Sequence, residues 1–492
     1  MAMSTKETND SLVDAADNAD GSDRHDQGGN WLQKWWTQPC GGREVLRLAL
    51  PLMVSTMSWT LMNFCDRMFL LWHSKEEMAA AAPAGFLLFT FICLPLGIAS
   101  YTNTFVAQYE GSGNPGRIGL AVWQAIILGL LVTPFFLLAI PFADSIFRMG
   151  QHSEAIQGFE STYFRWMTLS AGGTVCSAGL TAFFTGRGQN KTVMIVDGAA
   201  TLLNLVLDYV LIFGYAGFPE MGIAGAALAT SISQWLKAAV YFSLFYRTAD
   251  RDRLGVRTDM RFDRRLLQRM VWYGGPEGLR MMTEVAMLTG FIIVVGKLGD
   301  LPLAATTLAF NINGIGFVPL IGIGIAVSTL VGQQLGDDNV ELAGRTASSA
   351  LVIALTYTVV MAVLYLGFPD LLLFGHASGA GGVDGQDFKE LGEMASGLLR
   401  FVAVYCALDA VYIVYLGVVK GAGDTRFVFL VSLFLSPLPV LVSWVGIEYF
   451  GWNLNHCWIV LTAWVMLNGM VYWLRYRQGK WRTMRVVEPE LL

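Results

Sequence analysis

Asp197, Thr201, Asn204 and Asp208 recur at spacings of four, three and four within an otherwise apolar stretch of this 492-residue sequence. On an α-helix that spacing sets all four on one face. Asn63 and Asp66 interrupt an earlier apolar run in a similar way, and Thr230 sits in Ala229-Thr230-Ser231. Carboxylate, amide and hydroxyl oxygens are ligands that a hard cation such as Na⁺ can use when it sheds water. The same carboxylates can instead hold a proton, because desolvation disfavours their charged form. In the second half, Arg280 and Glu284 stand one helical turn apart, a spacing that suits an ion pair, and Tyr405 precedes Asp409 by one turn. Lys237 reads as a side chain that snorkels to the membrane edge rather than as a partner for an acid.

The surroundings of these residues are written for lipid. Hydrophobic residues make up 54% of the chain and charged residues 14%, with a mean hydropathy of +0.49. An ordinary soluble chain carries about 25% charged residues. A bilayer core takes about 20 apolar residues per helix. Such runs lie near 45–72, 77–108, 117–141, 158–186, 191–215 and 221–246, then near 266–297, 302–335, 343–368, 395–421, 425–449 and 454–477. The expected fold is an all-α membrane protein of twelve transmembrane helices. A carboxylate in the middle of such a helix costs about 2.5–3.5 kcal/mol, so the acids call for a wet cavity, a partner or a bound cation.

The two sets of six are related. Laying the second half on the first so that Pro276 falls on Pro51 also brings Ala304 onto Ala79, and Val331, Gln333 and Gly336 onto Val106, Gln108 and Gly111. Further along, the register moves: Arg400 falls on Arg165, Gly421 on Gly186 and Gly423 on Gly188, the difference being taken up mostly by Gly375–Gly385. Six is even, so both halves enter the membrane in the same direction, as two pseudo-symmetric bundles with a pathway between them. The repeat fails at the acids: Asp66 aligns with Phe291, Asp208 with Ser443, Glu284 with Trp59 and Asp409 with Thr174. The scaffold therefore does not require them.

Lys and Arg in the connections set the orientation. Arg247, Arg251, Arg253, Arg257, Arg261, Arg264, Arg265 and Arg269 crowd the central loop, and Arg475, Arg477, Lys480, Arg482 and Arg485 follow the last run. Both lie on one face, so both termini are expected in the cytoplasm. Asp250, Asp252, Asp259 and Asp263 interleave with the loop arginines, which favours topology control over nucleic-acid binding. The expected organisation is a disordered acidic cytoplasmic tail (1–43), an N-lobe (44–246), a cytoplasmic linker (247–265), a C-lobe (266–477) and a cytoplasmic C-terminal tail (478–492).

Other chemistry is weakly supported. Gly314, Gly316, Gly322 and Gly324 lie inside an apolar run with no phosphate-binding helix behind them, and read as sites of close helix packing or bending. No Walker A sequence or G-x-S-x-G elbow is present, the five histidines are dispersed, and no C-x-x-C pair occurs among the six cysteines. No enzymatic activity and no cofactor are expected, only a coupling ion.

Leu48-Ala49-Leu50-Pro51, the Asp66 context, Val106-Ala107-Gln108, the run Leu203 to Asp208, Gly225 to Thr230, and Gly421-Ala422-Gly423-Asp424-Thr425 together resemble the multidrug and toxic compound extrusion (MATE) transporters, in their NorM-like branch. The likeness covers about residues 45–477. It implies two six-helix bundles around a V-shaped central cleft. By that resemblance Asp66, Asn204, Asp208 and Thr230 form an N-lobe site for Na⁺ or H⁺, while Glu284 and Asp409, with Tyr405 beside them, are the C-lobe acids. The function expected is antiport across the cell membrane, with inward Na⁺ or H⁺ driving export of small organic, cationic and amphipathic compounds by a monomer. A lipid-linked oligosaccharide flippase is the rival within the same superfamily, although such a cavity is expected to be rich in Arg and Lys rather than in acids.

Overall fold

Lipid offers no hydrogen bonds to a backbone, so each apolar run must satisfy its own amides and folds as a helix. The computed structural model describes residues 31–148, 153–248, 250–369, 372 and 385–488, and every regular element among them is helical. Spans one to six are Gly42–His73, Lys75–Gly111, Gly116–Leu137 with its continuation to Arg148, the bent pair Glu154–Thr168 and Ser170–Gly186, Asn190–Phe213 and Ile223–Tyr246. Spans seven to twelve are Arg264–Gly296, Asp300–Gly336, Val340–Gly367, Gly385–Ala422, the pair Thr425–Leu435 and Pro437–Phe450, and Leu454–Arg477. Ten of these are long and apolar enough to cross a membrane by themselves, and the bent pair makes an eleventh. Span six is 24 residues long, but Thr230, Ser231, Ser233, Gln234 and Lys237 dilute its apolar run.

The breaks have local causes. Span four bends by 42° just before Ser170-Ala171-Gly172-Gly173, a run of small residues of the kind at which helices kink. Span eleven restarts at Pro437, whose nitrogen cannot donate to the preceding turn.

The lobes meet through spans one and two of the first half and spans seven and eight of the second. The contacts obey the repeat. A Cβ on Gly97 would fall 2.3 Å from Gly278 Cα, and one on Gly322 would fall 2.6 Å from the Met53 amide nitrogen. The register that lays Pro276 on Pro51 also lays Gly322 on Gly97 and Gly278 on Met53. Each seam is thus the image of the other, and each needs a glycine where the backbones touch. Gln108 Nε2 donates to the Gly421 carbonyl at 2.9 Å, and Gln333 Nε2 donates to the Gly186 carbonyl at 2.8 Å. The result is two pseudo-symmetric six-helix bundles around a central cleft.

The flanking segments are more ordered than their composition suggests. Within the expected disordered tail, Trp31–Thr37 forms a short helix against span one; residues 1–30 lie outside the described residues. The linker is tied to span three, where Gly119 N donates to Leu254 O at 2.7 Å and Trp123 Nε1 donates to Val256 O at 2.9 Å. Beyond span twelve the chain turns back as a short 3-10 helix, Lys480–Thr483, and buries Trp481, Val486 and Val487. Most of the Gly375–Gly385 stretch lies outside the described residues.

Candidate functional site

Three of the four residues expected in the N-lobe site converge. Asp66 is buried on span one, and Asn204 and Asp208 are fully buried one turn apart on span five. The amide orientation that satisfies the site turns the Asn204 nitrogen to Asp208 Oδ2 and Asp66 Oδ1, each at 3.2 Å. One neutral amide so bridges two carboxylates. Asp208 Oδ1 has no donor among the described residues. Thr230, on the neighbouring span six, is buried with its hydroxyl likewise unpartnered. Two carboxylates this close repel unless a proton or cation lies with them. The oxygens on offer, two carboxylates with a hydroxyl on the neighbouring span, suit a hard monovalent cation or a proton and not a soft metal. No three His, Cys, Asp or Glu side chains converge on a metal position among the described residues.

Asn63 stays outside this group, its amide donating to the Trp59 carbonyl of its own helix at 2.8 Å. Arg67, which follows Asp66, turns its guanidinium towards the Phe86 ring, 6.0 Å from its centroid. Asp197 lies further along span five in a second cluster. Lys237 Nζ stands 2.8 Å from Asp197 Oδ1, Tyr241 donates to the same oxygen at 2.8 Å, and Ser55 donates to Oδ2. Lys237 therefore pairs with an acid instead of snorkelling, because span one and span five enclose a carboxylate within its reach.

The C-lobe acids are divided. Arg280 donates through Nε and Nη2 to the two Glu277 oxygens, both at 2.9 Å, and through Nη1 to Glu284. Lys420 Nζ is 2.5 Å from Glu277, and Tyr412 donates to Glu284 at 2.8 Å. Glu284 is thus held in a charge network that balances two acids with two cations. Asp409 is buried and receives no donor from the described residues. Its neighbour Tyr405 lies with its ring stacked on Trp458, centroids 6.5 Å apart. The structure therefore does not join Asp409 to Glu284 by a hydrogen bond.

Sequence reasoning missed Glu277, Lys420 and Tyr412. Glu277 had a signal, since it directly follows Pro276 and stands three residues before Arg280. Lys420 and Tyr412 had none, because they reach the network from span ten. Tyr163 of span four was missed too; it is buried within electrostatic reach of both Asp66 and Asp208.

Comparison with known proteins gives the family and the fold. The MatE family model matches residues 51–210 and 276–445. These segments open on Pro51 and Pro276 and close on Val210 and Val445, residues that the internal repeat itself pairs. The chain is 25% identical over 455 residues to the protein described as "Probable multidrug resistance protein NorM" of Thermotoga maritima, covering 91% of this chain and 95% of that one. It is 25% identical over 447 residues to the multidrug resistance protein NorM of Vibrio cholerae, covering 88% and 95%. Among solved structures it superposes on a MOP superfamily transporter from Pyrococcus furiosus with a TM-score of 0.81 at 20% identity, covering 92% of this chain and 99% of that one. Matched in both halves by the family model, and over nearly its full length by NorM proteins, the chain belongs to the MATE family of multi-pass membrane transporters and is NorM-like.

Proposed function

We propose that this protein exports small organic, cationic and amphipathic compounds across the cytoplasmic membrane in exchange for inward Na⁺ or H⁺. One observation carries the reading. Asp66 and Asp208 meet through a single amide in the interior of the N-lobe, with Asp208 Oδ1 left without a donor. A buried site of this kind is costly unless a proton or cation completes it. Entry of the cation neutralises the cluster and lets span one close on span five, and its departure restores the repulsion. Resistance to multiple drugs is what the names of the NorM relatives describe. Phe86, Phe89, Met281 and Met282 supply apolar, adaptable surface on spans two and seven for such substrates, while Met287 is buried.

The crowding of arginines in the linker and after span twelve supports placing both termini in the cytoplasm, and a single chain contains both lobes, which supports a monomer as the working form. The flippase alternative is not favoured: Arg280, Lys237 and Lys420, the cations a pyrophosphate would need, are each already held by a carboxylate.

The test is efflux of ethidium from proteoliposomes under an imposed Na⁺ gradient or pH gradient, comparing wild type with Asp66→Asn, Asp208→Asn and Asp409→Asn. Gradient-driven efflux that is lost in the two N-lobe variants supports the reading and identifies the ion. Folded wild-type protein that moves no organic cation under either gradient sinks it.

A further inference from the structure

The polar stripe of span five does not end at the cation cluster. It runs from Asp208 and Asn204 through Thr201 to Asp197, eleven residues or about 16 Å of helix. Span six packs against it and carries its own stripe, with Thr230, Ser233 and Lys237 at spacings of three and four. The two helices run in opposite directions, so Thr230 belongs to the Asp208 end, while Lys237 meets Asp197 at 2.8 Å at the other. Ser55 and Asp66, on span one, touch the two ends.

Two features of this seam are unexplained by helix packing alone. The hydroxyls of Thr230 and Ser233 are buried and have no hydrogen-bond partner among the described residues; in a lipid-embedded bundle such groups normally bond a neighbouring helix or their own backbone. Beside Ser233 and the Asp197–Lys237 pair lies a cavity of about 40 Å³, whose polar lining is Ser55, Asp197, Thr201, Ser233, Gln234 and Lys237 and whose apolar wall is Trp59, Met62 and Ala200. That volume and that lining are enough for a water molecule with several polar partners.

We propose that this seam is the path by which the coupling cation leaves the Asp66–Asn204–Asp208 cluster, with Asp197 as its last carboxylate and Lys237 as the charge that keeps the path shut. The inference rests on the cation-coupled reading above. A cation released from Asp208 passes the free hydroxyls of Thr230 and Ser233 and the water space beside Thr201. It reaches Asp197 only when Lys237 gives up its ion pair, so inward leakage is blocked while the pair is closed. The cation is H⁺ or Na⁺, and the two are separated by the gradient applied.

The experiment uses the full-length protein in proteoliposomes, with ethidium efflux driven by a Na⁺ gradient in one arm and a pH gradient in the other. Equilibrium binding of the driving cation is measured in parallel by calorimetry. Two variants are compared with wild type. Asp197→Asn with Lys237→Met removes both charges together and strands neither, and Ser233→Val fills the cavity while leaving the pair intact. A block in release, as opposed to binding, shows as cation affinity within about threefold of wild type and a gradient-driven rate lower by about tenfold or more. Ser233→Val decides the matter alone if the double variant fails to fold. Wild-type rates in both variants overturn the proposal, and so does a parallel loss of affinity, rate and thermal stability, which marks a purely structural seam. Wild-type protein that shows no driven efflux instead overturns the cation-coupled reading, and the proposal with it.

Discussion

Gln108 and Gln333 make the same hydrogen bond from opposite lobes. Each side-chain amide crosses the interface to the carbonyl of a glycine that closes a span, Gly421 in one case and Gly186 in the other. Gln108 does one thing more, accepting from the Val486 amide at 2.7 Å. Replacing either glutamine with alanine leaves a buried carbonyl unpaired, at a cost of about 1–3 kcal/mol. The expected result is a shift of the population away from the state in which these ends of the lobes touch, larger for Gln108→Ala because Val486 is released as well. Spin labels placed on spans two and eight near this end would report the shift as a longer distance; unchanged distances in both variants would contradict it.

Arg280 is the hub of the C-lobe network and is itself buried. Its removal leaves Glu277 and Glu284 facing lipid-embedded helices with only Lys420 and Tyr412 to answer them. Breaking a buried pair from one side costs about 3–5 kcal/mol, so Arg280→Met is expected to lower thermal stability in detergent sharply. Glu284→Gln keeps the bond to Tyr412 and should lower it far less. Equal melting temperatures for these two variants would show that the network does not stabilise the C-lobe.

Asp409 is the reverse case, a buried acid without a donor among the described residues. Neutralising it removes a desolvation cost and strands no partner. Asp409→Asn is therefore expected to melt at or above the wild-type temperature, in contrast to Glu277→Gln, which breaks contacts to Arg280 and Lys420. Differential scanning fluorimetry on the two purified variants checks the ordering.

The segment after span twelve is held by Arg269, which pairs with Glu488 at 2.8 Å and also donates to the Val486 carbonyl. Tyr109 donates to Glu488 at 2.9 Å, and Trp481 is buried under the segment's own turn. Truncating a buried Trp to Ala costs about 3–5 kcal/mol. Both Trp481→Ala and Arg269→Ala are expected to free the C-terminal residues, seen as rapid removal of a C-terminal epitope by protease in inside-out vesicles. Protection equal to that of wild type would mean that these contacts do not anchor the segment.

Much of this molecule could be read from the chain. Apolar runs of bilayer length can only be helices in lipid, and the registers that pair Pro51 with Pro276 and Gly186 with Gly421 give two homologous lobes. Helical spacing alone put Asn204 and Asp208 on one face of span five, and the failure of the repeat at Asp66 and Asp208 singled them out. These are local facts, fixed by residue type and by the period of the helix. Spacing also suggested that Arg280 pairs with Glu284, as it does.

What spacing along one helix cannot give is the partner on another. Lys237 was free to snorkel until span five brought Asp197 within 2.8 Å of it. Asn63 carries the same kind of polar group as Asn204, yet it bonds its own helix while Asn204 reaches two acids. Glu277 gained Lys420 from 143 residues away, and a basic tail became a buried brace because Tyr109, Gln108 and Arg269 meet at one place. Each of these outcomes depends on how helices rotate and cross. That is set by glycine contacts such as Gly97 on Gly278 and by the relative position of two lobes. The sequence alone determined the spans, their pairing into two lobes and which acids stand out; the tertiary structure alone decided which of those acids are balanced by a basic side chain and which stand without one.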